Sequence, residues 1–296
     1  MQHQALSTGS VYQPSGNLGL SPLLAPALSV AAAVILAVAY GYILVYLPIV
    51  GYISVFILGA LAAALGYSTA WACKISQCRN PLFIKALGLL VGLLAFYFSW
   101  AAFEYALIAR TTANFEGSLV GLLLSPLTIK DIAVAINTEG WYTLKSWTPK
   151  GTTLWIFWGI EALVMIVGTP WIASKLSNNY VFCERCSSWC TASTKQNAPG
   201  LQMPESEEQF ARLRAGELSE LAELPYATEF DSFLLRVHNW MCSRCGETAA
   251  VRLDGVSFTV DDKGERSETV DQLTPILITT TEVIHSLGKV PEATSS

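Results

Sequence analysis

From Leu24 to Ala72 the chain carries no charged side chain. A single helix rising ~1.5 Å per residue would overshoot a bilayer core of about 30 Å long before that run ends. The run therefore predicts two spans, about 24–46 and 49–72, folded back at "YLPIVG", where Pro48 cannot continue a helix interior. Two further apolar stretches, about 82–109 and 152–173, are long enough to cross. The fold class this predicts for residues 24–174 is an α-helical polytopic membrane protein, with four transmembrane helices in two hairpins. Within the connection 110–151, "SPLTIKDIAVAINTEG" predicts a short helix at about 126–139. Ser125 suits its cap, Pro126 its first position and Gly140 its exit. Ile129, Ile132, Val134, Ala135 and Ile136 give that helix an apolar side.

The pattern changes after the fourth span. "SEEQFARLRAGELSELAEL" places Phe210, Leu213, Leu218, Leu221 and Leu224 at helical spacing, with Ser206 as cap and Gln209 three residues on. "DSFLLRVHNWMC", "TAAVRLDGVSFTVDD", "KGERSETV" and "PILITTTEVIH" are rich in β-branched residues and read as antiparallel strands, with Asp-Gly and Lys-Gly as turns. Residues 175–290 are thus expected to form a small β-rich, zinc-ribbon-like domain with a helical insertion. The polar ends, 1–23 and 291–296, are expected to be disordered. Residues 1–26 hold no Lys or Arg, which argues against a signal peptide.

Charge sharpens the division. Residues 1–175 carry eight basic and five acidic side chains, whereas 176–296 carry ten and eighteen. Lys74, Arg79 and Lys85 between the second and third spans, with Lys175, Arg185 and Lys195 after the fourth, outnumber Arg110, Lys130, Lys145 and Lys150 in the connection 110–151. The positive-inside rule then puts the C-terminal domain in the cytoplasm of a cell (bacterial inner) membrane and the 110–151 connection outside. Gly88 and Gly92, and the series Gly59, Ala63, Gly66, Ala70, are small-residue steps that suit close helix packing within a bundle. Tyr40, Tyr42, Tyr46, Tyr52, Trp100, Tyr105, Trp155 and Trp158 gather towards the outer ends as an interfacial belt.

Seven cysteines follow a pattern of their own. Cys183-Glu-Arg-Cys186 and Cys242-Ser-Arg-Cys245 are two C-x-x-C knuckles separated by 55 residues. Each knuckle can aim two sulfurs at one ion, so four thiolates make a closed tetrahedral shell. Gly246 suits the turn after the second pair. Structural zinc is the expected cofactor, with iron the alternative for the same ligands. Such a small domain is expected to draw much of its folding energy from the metal. A thioredoxin-like pair lacks the strand-to-helix context, and disulfides conflict with a cytoplasmic location. Cys190 is either a buried free thiol or a substitute ligand. Cys73 and Cys78 are read as incidental, or as acylation sites at most. His238, four residues before Cys242, reads as a strand-face side chain ahead of a metal ligand.

Glu104 and Glu161 fall about 7 and about 14 Å below the outer ends of the third and fourth spans. Carboxylates at such depth are candidate sites, here with the expectation that the two face one another. They support an alternative function as an oligomeric transporter or channel component. No phosphate loop, H-E-x-x-H or G-x-S-x-G occurs, so no enzyme is expected. The net charge of 176–296 also argues against nucleic acid as a partner. The favoured expectation is a membrane-anchored interaction or scaffold protein, with the lipid bilayer and a protein partner or second copy as its contacts. This architecture resembles that of bacterial multi-span proteins with a short cytosolic zinc-ribbon-like tail. No family-specific motif underlies the likeness, and it implies no activity.

Overall fold

A computed structural model describes residues 9–20, 22–47, 52–113, 115–140, 142–143, 147–193, 200–204, 206–218, 221, 224–227, 232–260 and 266–287. The chain divides into two compact units, one of residues 15–179 and one of 1–14 with 180–296.

The first unit is helical: α1 (Leu24–Tyr46), α2 (Tyr52–Ile75), α3 (Pro81–Thr111), α4 (Leu119–Leu123), α5 (Pro126–Glu139) and α6 (Thr152–Ser177). Among the described residues four helices are long and apolar enough to cross a membrane: α1, α2 from Ile53, α3 and α6. Asn80 starts α3 by accepting the Phe83 N–H at 2.9 Å, with Pro81 in the first turn. Helix α5 occupies the span expected for it, and Gly140 ends it at φ 77°. Pro48 lies outside the described residues.

The helices pack α1 on α3, α3 on α6, α6 on α2 and α2 on α1. Two glycines allow the α3–α6 approach. A Cβ at Gly88 would stand 2.6 Å from Pro170 Cα, and one at Gly92 would stand 2.6 Å from the Met165 carbonyl oxygen. The G-x-x-x-G step is therefore used inside the chain's own bundle. Gly92→Val is expected to force α3 and α6 apart, costing about 1–3 kcal/mol. A lowered melting temperature in detergent would show it. Gly59→Ala, at a position with nothing within 4 Å, is the neutral comparison.

The second unit is built on a six-stranded antiparallel sheet. Its strands are β1 (Ser10–Val11), β4 (Thr191–Ser193), β5 (Phe233–Met241), β6 (Ala249–Val260), β7 (Arg266–Gln272) and β8 (Leu277–Thr279). A separate two-stranded hairpin joins β2 (Phe182–Cys183) to β3 (Ser188–Trp189). Strand β6 pairs along one side with β5. Its other side is shared, with β8 on residues 249–251 and β7 on 254–260. Helix α7 (Glu207–Ala215) starts as expected: Ser206 accepts the Gln209 N–H at 3.1 Å, and Gly216 ends it in the left-handed region. Leu213, Leu218, Leu221 and Leu224 are buried with Leu235, Val251, Leu253 and Leu277.

Several expectations are corrected here. Part of the tail 1–23 is ordered structure: Ser10 and Val11 pair with Ile278 and Leu277, and Tyr12 N–H donates to Ile276. Residues 16–20 lie against the α2–α3 link, with Arg79 N–H donating to Asn17 and Leu20 N–H to Ser76. Asp254-Gly255 is no turn. It sits inside β6, with Gly255 in register with both Leu235 and Asp271. Lys263-Gly264 and the tail 291–296 lie outside the described residues. After β8 the chain forms a helix, α8 (Thr281–Leu287), where a strand was expected, and it buries Val283 and Ile284 in the leucine cluster. The cluster also means that the unit has an apolar core of its own, which the expectation of a metal-dependent domain did not include.

Candidate metal centre and buried carboxylates

The first knuckle is the tip of the β2–β3 hairpin. Phe182 and Trp189 face each other across it, ring centroids 4.9 Å apart, and Ser187 takes the tight turn at φ 47°. The second knuckle follows β5. Gly246 N–H donates to the Cys242 carbonyl at 2.9 Å, and Gly246 adopts φ 68°, a value that favours glycine. Cys242 N–H then donates to Thr248 at 2.9 Å, closing the loop just before β6.

This brings Cys183, Cys186, Cys242 and Cys245 together, all four sulfurs within 4.8 Å of one another. A tetrahedral ion with metal–sulfur bonds of about 2.3 Å spaces its sulfurs about 3.8 Å apart. Cys183 and Cys245 already stand at 3.8 Å. All seven cysteines are free thiols, so no disulfide competes for these sulfurs. The residues present fit a metal ion.

Polar groups surround the sulfurs. Backbone N–H groups of Cys245 and Arg244 point at the Cys242 sulfur and hold that thiol down at about 6. Thr248 Oγ1 donates to Cys183 Sγ at 3.1 Å, and Arg244 Nη1 donates to the Cys186 carbonyl at 3.2 Å. Arg185 pairs with Glu247. Cys186 is pushed up to about 12 by the hydrogen bond it shares with Cys245 and by burial. Four crowded thiols cannot all ionise without a cation among them, which is the charge that a divalent ion supplies. Thr248 was not legible in the sequence, because a threonine two residues past a turn glycine carries no ligand signature.

Cys190 is outside the ligand set. It packs against the cluster of Val181, Trp240, Ala250 and Ile276, and burial pushes its thiol up to about 12. Its position is that of a packing thiol, and the substitute-ligand alternative drops out. Cys73 and Cys78 are both buried, and their free thiols share a hydrogen bond. The Cys73 thiol and the Asn80 backbone N–H hold Cys78 down at about 7, against the effect of burial. Buried sulfurs do not suit acylation. His238 is on the β5 strand face, its Nε2 2.9 Å from Asp254 Oδ2.

The two candidate carboxylates share no hydrogen bond. Glu104 is fully buried on α3, and neither of its oxygens has a hydrogen-bond partner among the described residues. Glu161 on α6 accepts the Tyr40 hydroxyl at 2.7 Å. It lines a recess with Tyr40, Trp100, Phe103 and Trp158, and Glu104 is not part of that lining. Helical depth fixed their heights but not the direction each side chain takes around its helix. Arg110, in the last turn of α3, donates to the Val45 carbonyl. His285 and His3 have no described side chains.

No protein-family model matches the chain, and neither a curated protein nor a solved structure matches it.

Proposed function

We propose that this chain is an integral membrane protein whose C-terminal unit is folded around one structural zinc ion and docks partner proteins, or a second copy, beside the bilayer. The observation that carries this is the four-sulfur cluster, with all sulfurs within 4.8 Å. Four thiolates complete a tetrahedral shell and leave no position for a substrate, so the ion braces structure there. Zinc is favoured over iron because the paired knuckles are zinc-ribbon-like and the role needs no redox change. The basic residues flanking the spans favour the cytoplasmic side for that unit. The reading is therefore of a cell-membrane protein with four spans in two hairpins and its metal unit in the cytoplasm. With no enzyme motif and an acidic C-terminal unit, neither catalysis nor nucleic-acid binding is part of it.

Metal analysis of the purified full-length chain is expected to return one zinc per chain. Metal-free protein whose two knuckles stay closed, with Arg185 and Arg244 resistant to trypsin, or one iron in place of zinc, would refute the zinc assignment. Cross-linking in cells tests the docking role. Partners captured by the native chain are expected to be lost from a variant with all four ligand cysteines replaced by serine, and retained by Glu161→Gln. The alternative, an oligomeric transporter or channel component using Glu104 and Glu161, would instead be damaged by Glu104→Gln and Glu161→Gln.

A further inference from the structure

Helix α2 ends in a turn that sets two thiols side by side. Cys78 N–H donates to the Cys73 carbonyl at 2.8 Å, and Gln77 N–H donates to the Lys74 carbonyl at 3.1 Å. With Gln77 in the left-handed region at φ 57°, these bonds make a Schellman ending, in which the sixth residue folds back over the first. An apolar contact commonly joins those two positions. Here both are cysteine, and the Cys73 thiol donates to the Cys78 sulfur. An interval of five means nothing along a helix and becomes a contact only through this turn.

The pair is enclosed. Cys73 and Cys78 are 1% and 2% exposed, in an apolar cluster with Ile84 and Leu87. Residues 16–20 cross the same link. Leu20 N–H donates to the Ser76 carbonyl, Arg79 N–H to that of Asn17, and Asn80 Nδ2 to that of Gly16 at 3.0 Å. Gly19 lies so close that a Cβ there would collide with the Ser76 carbonyl oxygen. Polar groups nevertheless reach the Cys78 sulfur. The Cys73 thiol, the Asn80 backbone N–H and the Arg79 charge together hold Cys78 down at about 7, against the effect of burial. The thiolate is the nucleophilic form, and a pair packed for shape alone has no use for it.

We propose that Cys73 and Cys78 are a site of reversible oxidation, at which a small peroxide closes the pair to an intramolecular disulfide. The Cys78 thiolate attacks one oxygen of hydrogen peroxide. The S–O bond forms, the O–O bond breaks, and the departing hydroxide takes a solvent proton to leave as water. The Cys73 sulfur then attacks the sulfenic sulfur of Cys78. The S–S bond forms, the S–O bond breaks, and the Cys73 proton leaves with the hydroxyl as a second water. Two thiols are oxidised and one peroxide is reduced, and a thiol reductant later exchanges the disulfide open. Burial sets the class of oxidant, because a peroxide is close to water in size whereas a bulky disulfide must first open the cover. Two sulfurs also fall short of the four ligands of a zinc shell. In the cytoplasmic placement proposed above the pair rests as thiols, since stable disulfides are rare there. The chemistry itself does not depend on that placement.

In the test, full-length protein in detergent is treated with hydrogen peroxide, its remaining thiols are alkylated, and it is digested with trypsin and chymotrypsin. Cleavage after Trp71, Lys74 and Arg79 puts Cys73 and Cys78 in separate peptides, 72–74 and 75–79. Oxidation is expected to join these two peptides, with loss of both alkylated forms, and dithiothreitol added before alkylation is expected to restore them. Oxidised glutathione should form the link at least about tenfold more slowly than peroxide at equal concentration. In Cys73→Ser, peroxide is expected to carry Cys78 to sulfenic and sulfinic acid, read as a gain in peptide mass. The proposal fails if the folded native chain forms no link between the two peptides, or if Cys78 links to another cysteine instead. It fails too if oxidised glutathione forms the link as fast as peroxide, or if Cys78 stays a thiol in a folded Cys73→Ser protein. Should Cys73→Ser not fold, the native link and its reversal decide. Failure here leaves the metal and docking proposals standing, since those are read from zinc content and cross-linking.

Discussion

Cys242→Ser is expected to abolish stoichiometric metal binding and to open both knuckles while the main sheet persists. Structural thiolate sites hold zinc with about 10–16 kcal/mol, and a three-sulfur remnant no longer closes the shell. Cys242 is the ligand whose loss should be felt most. Its sulfur receives the backbone N–H groups of Cys245 and Arg244, which hold that thiol near its thiolate form. The β2–β3 hairpin is only two residues long on each strand, and short isolated hairpins have little stability in water. Once the ion is gone, Arg185 and Arg244 should become fast trypsin sites. The leucine cluster on β5, β6 and β8 is a separate source of stability, so amides of Leu235, Val251 and Leu253 should stay protected from hydrogen exchange. Chelator treatment of the native chain should reproduce this pattern. So should acid, since protons compete with the metal for sulfur. Loss of protection across β5 and β6 together with the knuckles would mean that the ion holds up the whole unit. Retained metal in Cys242→Ser would mean that the cluster is not its site.

That split between knuckles and sheet was only half legible in the sequence. The ligand set could be read because C-x-x-C spacing is a local property, and two copies of it in one domain rarely have another purpose. The spans and the α7 cap could be read for the same reason: length, hydropathy and the Ser206–Gln209 interval act within one turn or one helix. The misread features all depend on residues far away in the chain. Asp254-Gly255 is a strong turn signal by itself, but β5 and β7 flank it on both sides and extend it into strand. Thr279-Thr280-Thr281-Glu-Val-Ile looks like strand by propensity. Burial of Val283 and Ile284 in the leucine cluster outweighs a preference that spans only about 1 kcal/mol. Ser10 and Val11 have no strand signal until Leu277 and Ile278 offer a free edge. The same limit applies inside the bundle, where Tyr40 and Glu161 meet across 121 residues of sequence.

Asp254 shows what such distant partners make possible, and replacing it should have the largest effect on the sheet itself. Its carboxylate is buried and takes two hydrogen bonds of 2.9 Å from Arg252, through Nε and Nη2, with His238 Nε2 2.9 Å from its Oδ2. Arg252 and His238 are in register across β5 and β6, so one carboxylate serves both strands. Burial alone would raise this carboxyl, but the hydrogen bonds from His238 and Arg252 and their charges outweigh it and hold the group below the ordinary carboxylate range. Asp254→Ala strands the two partners in a largely buried setting. The expected loss is about 3 kcal/mol, the lower end of the cost of breaking a buried pair, because both partners keep some contact with water. Denaturant unfolding, followed by hydrogen exchange of the β5 and β6 amides, would measure it. In Asp254→Leu/Arg252→Met, which removes both ends of the Arg252 contact, the loss should be smaller than the sum of the single losses, a coupling that a role in backbone geometry alone would not produce. The pH dependence has a definite sign. A carboxyl depressed in the folded state contributes its full stability above the unfolded value of about 3.9 and loses it as pH falls further, through the folded value. The native chain should therefore lose this contribution only in acid below about pH 4, and Asp254→Ala should lack that part of the acid transition. An Asp254→Ala protein as stable as the native one at neutral pH would show that the Arg252 and His238 contacts add nothing to the sheet.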